Sequence, residues 1–424
     1  MGMVGGGRGA FIGQVHRIAA ALDGQIELVC GAFSSSPEKS RLSGKDLFLP
    51  DDRVYGSFEE MITKEKKRPE GERMDFISIV TPNHMHFAPA KMALENGFHV
   101  VCDKPLCFNL EEAYVLREIY SKTDLVFALT HNYTAYPMVK EARHIIQSGQ
   151  LGKIRKLVTA YPQGWLSTFL EESEQKQASW RTDPRKSGIA GAMGDIGTHA
   201  ENLAEYISGL QIEELCADIS TFVEGRRLDD DGNVLIRYNN GARGILYASQ
   251  ISAGEENALS VKVYGEKGGL EWHQMHPNTL ELKWLDKPKE LIRTGVGQLS
   301  ESTQAHTRLP AGHPEGYLEA FANIYRNFAK CIQAKLEGVE ADPVYKDFPG
   351  IEDGIRGMEF IYKVIESGKS ARFATSLNNG CLPVAGFYNL QAASASQRQF
   401  QTKVATDVVT SMSARMQTLR SQRP

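Results

Sequence analysis

The stretch Gly5-Gly6-Gly7-Arg8-Gly9-Ala10 decides the fold class of this chain. A short apolar run at residues 1–4 precedes it, and apolar residues recur at helical spacing over residues 11–22. A glycine-rich turn between a strand and a helix lets the backbone approach the pyrophosphate of a dinucleotide at the helix N-terminus. The stretch therefore predicts a dinucleotide site, and the alternative is an ordinary tight turn. The residues expected to contact the cofactor here are Gly5, Gly7, Ala10, Phe11 and Ile12.

The same alternation of strand and helix continues to about residue 130. Apolar runs predict strands at 26–33, 76–80, 99–102 and 125–130, and helical periodicity predicts helices at 86–96 and 111–122. Such alternation is typical of an α/β fold with a doubly wound parallel sheet of the Rossmann type. Each strand ends at a polar or glycine-rich segment, which is where open α/β sheets place their ligands.

The pattern changes after about residue 150. Short strands joined by turns are predicted at 155–161, 214–223, 234–238, 242–251, 259–264, 269–272 and 279–284, between helices at about 195–208 and 315–336. Asn239-Asn240-Gly241 indicates a hairpin. We therefore predict a Rossmann domain at 1–131, an α+β substrate-binding and oligomerisation domain with a large, mainly antiparallel sheet at 132–376, and a flexible extension at 377–424.

Composition excludes several classes of function. The 424 residues carry 48 Lys and Arg against 52 Asp and Glu, a balance that argues against a nucleic-acid partner. No apolar stretch approaches the roughly 20 residues that span a bilayer, and no secretory signal is visible. The six cysteines form no Cys-x-x-Cys pair, which indicates reduced thiols in the cytoplasm.

The sequence leaves the phosphorylation state of the cofactor open. An NAD site usually has an acidic residue after the second strand, but Ala32-Phe33-Ser34-Ser35 contains none. The hydroxyls of Ser34 and Ser35, with Lys39 nearby, could accept the 2′-phosphate of NADP. Serines before a proline are also good helix N-caps. The cofactor is therefore predicted as NAD or NADP.

A lysine follows the fourth predicted strand, in Cys102-Asp103-Lys104-Pro105. Oxidation of a secondary alcohol needs a base for the hydroxyl proton, and lysine can serve if its surroundings lower its pKa. A cis Lys104–Pro105 bond is one way to fix the direction of the side chain. The alternative is a surface lysine in a turn.

A second polar pair stands in the segment 191–202. Asp195 and His199 are four residues apart and share one face of a helix, while Gly191, Gly194 and Gly197 permit close backbone approach. The pair suits acid–base chemistry or hydroxyl binding. It could equally be a capped helix start with a packed histidine, or two metal ligands. No further ligand stands at a recognisable spacing, so no metal is predicted.

Four ordered motifs together resemble the Gfo/Idh/MocA family of nicotinamide-dependent sugar and cyclitol oxidoreductases. They are the glycine loop, Thr81-Pro82-Asn83-His84-Met85-His86, Asp103-Lys104-Pro105 and Gly194-Asp195-x-x-x-His199, and the resemblance covers about residues 1–376. The family usually has Glu where this chain has Asp103. The resemblance is strongest to the branch that acts on glycosides, anhydrosugars or inositols.

The resemblance implies a role for each motif residue. Lys104 would be the proton relay and His199 its catalytic partner, while Asp195 would bind the substrate hydroxyl and orient His199. The residues that would bind the cofactor are Thr81, Pro82, Asn83, His86, Asp103, Lys104 and Asn132. The substrate would contact Lys104, Asp195 and His199.

Polar segments of the second domain that are typical of turns offer further candidates for substrate contact. An aromatic face with Arg and His donors suits a pyranose ring, which predicts roles for Trp165, Trp180, Arg181, His313 and His306. The alternative is that the tryptophans pack in the core.

The predicted function is reversible hydride transfer between NAD(P) and a ring CH–OH of a small polyol. Two alternatives stay open: an NAD-dependent, redox-assisted glycosidase, and a non-catalytic NAD(P)-binding regulator. The resemblance also implies a homodimer or homotetramer.

Overall fold

The parallel sheet predicted for the first half of the chain is present in the computed structural model, which describes residues 1–173 and 175–370. Its strands are β1 (Gly2–Gly5), β2 (Cys30–Ala32), β3 (Phe76–Val80), β4 (His99–Cys102) and β5 (Phe127–Leu129), in the order β2-β1-β3-β4-β5. β3 is buried at every position, as expected for a central parallel strand. The predicted extension at 377–424 lies outside the described residues, as do residues 371–376.

The sheet reverses its strand order at β1, because β2 lies on one side of it and β3 on the other. The carboxyl ends of β1 and β3 therefore flank the crevice where an open α/β sheet binds its ligand. β2 is shorter than predicted: β1 provides partners for Cys30, Gly31 and Ala32 alone.

The helices of this half of the chain are α1 (Phe11–Ala21), α2 (Pro37–Asp46), α3 (Phe58–Glu65), α4 (Phe87–Glu95), α5 (Leu110–Tyr120) and α6 (Pro137–Gln147). α1 to α4 pack on the strands of this sheet, whereas α6 packs on the second sheet described below. Single 3₁₀ turns lie at Asp51–Arg53, Asn83–Met85 and Asn132–Ala135. The boundary expected between residues 131 and 132 falls at the last of these turns and stays a prediction.

A second sheet of eight strands follows, as predicted for an α+β domain. Its strands are β6 (Lys156–Pro162), β7 (Ile212–Ser220), β8 (Asp231–Tyr238), β9 (Arg243–Ser249), β10 (Ser260–Tyr264), β11 (Gly268–His273), β12 (Thr279–Trp284) and β13 (Glu290–Arg293). The order is β13-β12-β11-β10-β6-β9-β8-β7, and the β6–β9 pair is parallel while the other neighbours are antiparallel. Asn239-Asn240-Gly241 makes the expected hairpin between β8 and β9, with Gly241 at φ 89°.

The helices of the second half are α7 (Lys176–Arg181), α8 (Pro184–Ser187), α9 (Thr198–Ser208), α10 (Glu301–Ala305), α11 (Tyr317–Leu336) and α12 (Ile351–Ser370). A π-helical turn, Met193–Gly197, precedes α9, and a 3₁₀ turn covers Pro343–Lys346. α11 returns to the first sheet, where the Tyr325 hydroxyl hydrogen-bonds His16 Nδ1 on α1 and Ser78 Oγ on β3, each at 2.7 Å. Both sheets therefore share one packed core.

A partly buried ionic cluster surrounds Asp347 and ties the segment before α12 to α6 and α9. The carboxylate of Asp347 accepts from Lys140 Nζ at 2.8 Å, from Arg143 Nη1 at 2.9 Å and from the Tyr206 hydroxyl at 2.7 Å. Burial alone would raise the pKa of Asp347, but Lys140 and Tyr206 outweigh it and hold the pKa at about 2. The cluster therefore holds the segment before α12 against α6 and α9.

Candidate active site

The glycine loop packs as a dinucleotide-binding turn requires. Gly7 N–H donates to Phe33 O at 3.2 Å, and a Cβ added at Gly7 would lie 2.7 Å from both Phe33 O and Ser43 Oγ. A Cβ at Gly13 on α1 would collide with Gly6. The chain therefore needs glycine at both positions to bring α1 against the loop.

The N-terminus of α1 faces a depression of about 370 Å³ beside this loop. Ala10, at the N-cap, has no side chain that could satisfy the first helical N–H groups, and Phe11 is exposed. Ile12, also predicted here, is half-buried and packs against the core. Free N–H groups at a helix start favour an anion. The cradle fits a pyrophosphate.

The end of β2 presents hydroxyls but no acid. Ser34 Oγ accepts from Ser36 N at 3.2 Å, Ser36 caps α2, and Ser35 is exposed. Across the loop, the Arg8 guanidinium makes two bonds to the Asp46 carboxylate, at 2.5 and 2.7 Å. Asp46, on α2, thus neutralises the arginine of the glycine loop.

The loop after β3 is fixed by His86. The His86 ring is fully buried, with Nδ1 2.7 Å from Pro105 O and Nε2 2.9 Å from Thr81 O. His86 therefore holds two loops together and has no surface to offer a ligand. Asn83 is also buried and donates to Ser187 O at 2.9 Å. Thr81 and Pro82 of this loop are half-buried.

The loop after β4 carries Asp103 and Lys104, and the Lys104–Pro105 peptide bond is cis. Asp103 Oδ1 accepts from Lys104 N at 2.9 Å and from Thr130 Oγ1 at 2.8 Å. Asp103 thus ties the end of β4 to the end of β5. Its carboxylate organises the loop from which the Lys104 side chain projects.

Lys104 and Asp195 meet at the centre of the site. Lys104 Nζ lies 2.6 Å from the main-chain oxygen of Asp195 and 2.9 Å from its Oδ1. The other carboxylate oxygen, Oδ2, accepts from Arg181 Nε at 3.2 Å and from Gln250 Nε2 at 2.9 Å. Burial alone would raise the pKa of Asp195, but Lys104 and Arg181 hold it well below its usual range. Asp195 is therefore an anion with three side-chain donors.

The π-helical turn Met193–Gly197 brings Asp195 to this point. Its defining bond runs from Thr198 N to Met193 O, one residue longer than an α-helical bond. Close packing explains two of the glycines: a Cβ at Gly191 would overlap Asp229 O, and one at Gly197 would press on Met193. The helix predicted at about 195–208 begins at Thr198, so the prediction of an ordinary helix was wrong for residues 195–197.

His199 follows at the start of α9 and faces other aromatic rings. Its Nδ1 lies 3.4 Å from His131 Nδ1, and the Tyr133 ring packs edge-on at 4.9 Å between centroids. Burial, reinforced by the charge of Lys104, lowers the pKa of His199 well below its usual value. The same causes lower the pKa of His131 to about 3. Both imidazoles are therefore neutral at physiological pH.

A network of neutral side chains extends from Asp195, and no sequence motif indicated it. Gln250 reaches Gln163 Oε1 at 3.4 Å, Gln163 Nε2 donates to Asn257 Oδ1 at 2.7 Å, and the Tyr161 hydroxyl donates to the same oxygen at 2.7 Å. Tyr161 also bonds Tyr133 at 2.5 Å. Tyr161, Gln163 and Gln250 come from the ends of β6 and β9, which the parallel pairing of the two strands brings together. Asn257 comes from the loop before β10, and Tyr133 from the turn after β5.

The predicted substrate residues divide into two groups. Trp165 joins the network through Nε1, 3.0 Å from Gln163 Oε1, and Arg181 contacts Asp195 while stacking on Trp180 at 4.3 Å. His313 is exposed, and its ring bonds Pro310 O of its own loop. His306 is fully buried between Ser302 O and Asn327, so the expectation that it reads a substrate was wrong.

Asn132, predicted beside the nicotinamide, is buried in the turn after β5. Among the described residues, its Nδ2 has no hydrogen-bond partner. An orphaned buried amide donor at the carboxyl end of β5 fits a bound group with a free acceptor.

Sequence comparison assigns this fold and site to a family. Residues 1–131 match the oxidoreductase family with an NAD-binding Rossmann fold, and residues 139–271 match the GFO/IDH/MocA C-terminal domain. The chain is 34% identical to an uncharacterised oxidoreductase of Bacillus subtilis over 86% of its own length and 93% of the relative. The chain belongs to the Gfo/Idh/MocA family of oxidoreductases, and its N-terminal domain binds NAD.

Two solved structures are similar over nearly the whole described chain. An oxidoreductase from Sinorhizobium meliloti is 46% identical, with 87% of this chain and 97% of that one covered and a TM-score of 0.79. An inositol dehydrogenase homologue from Azotobacter vinelandii, complexed with NADH and myo-inositol, is 34% identical, with 87% and 95% covered and a TM-score of 0.80.

Over residues 1–173 and 175–370, no helix is long and apolar enough to cross a membrane. Within the same ranges, no group of three or more His, Cys, Asp or Glu side chains is placed to hold a metal ion.

Proposed function

We propose that the protein transfers a hydride between NAD and a ring CH–OH of a sugar, glycoside, anhydrosugar or inositol, with Lys104 as the proton relay. The observation that carries this proposal is the Lys104–Asp195 pair. It places an amine 2.6 and 2.9 Å from two oxygens of a buried anion, at the carboxyl end of β4. Ligands of open α/β sheets lie at this edge.

The three polar groups have distinct roles in this proposal. Lys104, an ammonium beside Asp195, first loses a proton to solvent, and its amine then takes the hydroxyl proton while the hydride leaves the ring carbon. Bound NAD supplies the hydride acceptor. Asp195 stabilises the ammonium that forms, and the neutral imidazole of His199 polarises the hydroxyl. Asp195 and His199 keep their charge states across the physiological pH range, because their pKa values lie well below it.

An uncharged polyol suits the lining of the site. Gln163, Gln250 and Asn257 present amide donors and acceptors, which match hydroxyl groups, and Trp165 offers an aromatic face. The A. vinelandii relative with NADH and myo-inositol supports the same class of substrate.

We propose NAD as the physiological cofactor. Asp46 accepts from Nε and Nη2 of Arg8, the arginine of the glycine loop, and so competes with a 2′-phosphate for this side chain. His86 and Asp103 act through the loops they hold, and Gly7, Ala10 and Asn132 are the candidates for direct contact.

We also propose that the outer face of the second sheet mediates a homodimer or homotetramer. Leu235 on β8 is 61% exposed and Ile245 on β9 is 37% exposed on this face. Size-exclusion chromatography that gives a clean monomer at micromolar concentration contradicts this. The cytoplasmic location stays a prediction from the cysteine pattern.

A spectrophotometric screen tests the proposed activity. NAD+ and NADP+ are each incubated with inositols, glucose, levoglucosan and glucosides, and reduced cofactor is measured by its absorbance. Net NADH formation with at least one polyol is the expected result. Aglycone release without net NADH supports the redox-assisted glycosidase instead, and NADH binding without any turnover supports a regulator.

A further inference from the structure

We propose that Asp229, which lies outside every motif above, is the positioning residue for the Lys104–Asp195 pair, because it anchors the turn that carries Asp195. The expected loss of kcat rests on the proposed function, but the anchoring of the turn by Asp229 does not. Asp229 lies in the loop before β8 and is buried.

Three successive backbone N–H groups at the start of the π-helical turn donate to this one residue. Gly191 N donates to Asp229 Oδ1 at 2.6 Å, Ala192 N to its main-chain oxygen at 2.9 Å, and Met193 N to Oδ2 at 2.7 Å. Asp229 therefore satisfies N–H groups that a helix start leaves without intrahelical partners. No residue of the turn itself supplies a side-chain cap.

The residues around these hydrogen bonds are closely packed. A Cβ at Gly191 would overlap the Asp229 carbonyl oxygen, and a Cβ at Gly232 on β8 would press on the Met193 side chain. These two contacts hold the turn against β8 and the loop before it. These close approaches account for two glycines that the cofactor does not explain.

The turn that Asp229 anchors is connected to Lys104 through Asp195. Lys104 Nζ binds both the main-chain oxygen and Oδ1 of Asp195, two residues after Met193. A shift of the turn backbone therefore displaces both acceptors of Lys104 at once. Asp229 itself makes no contact with Lys104 in the described residues.

Asp229 is buried, and the loss of hydration opposes its ionisation. Burial raises the pKa of Asp229 to about 6, because it outweighs the hydrogen bonds from Met193 and Gly191. Ionised Asp229 at neutral pH therefore costs stability, and a neutral residue of the same shape relieves that cost. A carboxylate retained at such a cost is typical of a site shaped for function. The variant Asp229→Asn is accordingly expected to fold.

The adjacent Asp230 provides a matched control. It is also buried and also accepts two backbone N–H groups, from Phe222 at 2.8 Å and Val223 at 3.0 Å, and it pairs with Arg226. These partners lie in the loop that follows β7, and none of them belongs to the π-helical turn. The two aspartates differ in what they cap, and Asp230 also forms a buried ion pair with Arg226 that Asp229 lacks, so D230N disturbs a buried carboxylate without touching the turn.

The test measures the exposure of Lys104 directly, without substrate or cofactor. Wild-type protein, D229N and D230N are treated with an amine-acylating reagent, and acylation of Lys104 is followed by peptide mass spectrometry. In D229N one of the two N–H donors loses its acceptor, so Asp195 moves and Lys104 is released. Acylation of Lys104 is expected to rise about fivefold in D229N and to stay within about twofold in D230N.

Thermal melts and kinetics complete the test. D229N is expected to melt close to the wild-type temperature at pH 8, to bind NADH with unchanged affinity, and to lose about tenfold in kcat with whichever polyol is turned over. Unchanged Lys104 acylation in a folded D229N overturns the proposal, and so does an equal rise in D230N. If D229N folds poorly, Asp229→Ser replaces it with the same expectations.

The two proposals fail separately. If no polyol is oxidised but Lys104 acylation rises in D229N alone, the positioning role of Asp229 stands and the proposed function falls. If polyols are oxidised but acylation and kcat are unchanged in D229N, the reverse holds.

Discussion

Replacement of Lys104 by methionine removes the proposed proton relay while it keeps most of the side-chain volume. The Lys104 side chain is 13% exposed and makes two bonds to Asp195. After its loss, Asp195 keeps its bonds to Arg181 and Gln250, so two of its three side-chain donors remain. The carboxylate therefore stays paired, and we expect the variant to fold.

The size of each effect follows from these contacts. Each of the two bonds that the charged Lys104 amine makes contributes about 1.5–3 kcal/mol to the unfolding free energy. Loss of a general acid–base group lowers the rate about 100- to 10,000-fold, which corresponds to about 3–5 kcal/mol of activation free energy. Lys104→Met is thus expected to lose nearly all turnover and a few kcal/mol of stability, about 1.5–3 kcal/mol for each bond lost.

Three measurements on the purified variant check this prediction. Thermal melting reports stability, quenching of intrinsic fluorescence by NADH reports cofactor affinity, and initial rates of NADH formation report kcat and KM separately. Lys91→Met is the control, because Lys91 lies exposed on α4 with a single distant partner, Glu95, at 3.8 Å. A folded Lys104→Met variant whose kcat stays within threefold of wild type refutes the relay.

Three further perturbations have defined outcomes. Gln250→Leu removes the amide that donates to Asp195 Oδ2. Because a hydrogen bond to a charged group is worth about 1.5–3 kcal/mol, steady-state kcat should fall at least about tenfold. An unchanged kcat contradicts a role for the network. Asp46→Asn frees Arg8, and fluorescence titration should show NADPH binding about tenfold tighter with NADH within about twofold; equal changes for both cofactors contradict the assignment. Asp347→Asn should lower the unfolding free energy by about 2 kcal/mol at pH 7, because the pKa of Asp347 is about 2 in the fold against 3.8 ordinarily. That loss is present above pH 4 and disappears as the pH falls toward 2, and a loss that does not depend on pH contradicts the ionic origin.

Local patterns were sufficient to predict the framework of the fold. The glycine loop, the buried run of β3 and the Asn239-Asn240-Gly241 hairpin each depend on neighbouring residues in the chain, so their structures follow from sequence periodicity and turn chemistry. The length of β2 was overestimated, because strand length depends on the partner strand. β1 offers pairing to three of its residues.

The centre of the site was predictable because its residues occur in motifs at strand and helix ends. Lys104 and Asp195 are in contact, and His199 lies near enough for the charge of Lys104 to lower its pKa, while the roles of all three stay predictions. Gln250 and Asp229 were missed for a physical reason. Each acts through one tertiary contact, and an isolated glutamine or aspartate in a loop carries no spacing signal.

His306 shows the opposite error, because it was predicted to contact the substrate and the fold encloses it elsewhere. Polar, turn-like text suggested that His306 reads a substrate, but α10 and α11 enclose it and its ring satisfies Ser302 O and Asn327. Burial of this kind depends on how distant helices pack, and local composition does not reveal it.

The most direct test of hydride transfer follows the hydrogen itself. A polyol that supports NADH formation is deuterated at its ring carbons, and the NADH produced is analysed by mass spectrometry. The proposed function predicts one deuterium in each NADH formed by the wild-type protein and no labelled NADH from Lys104→Met. NADH without deuterium, or labelled NADH formed by Lys104→Met at the wild-type rate, contradicts the account.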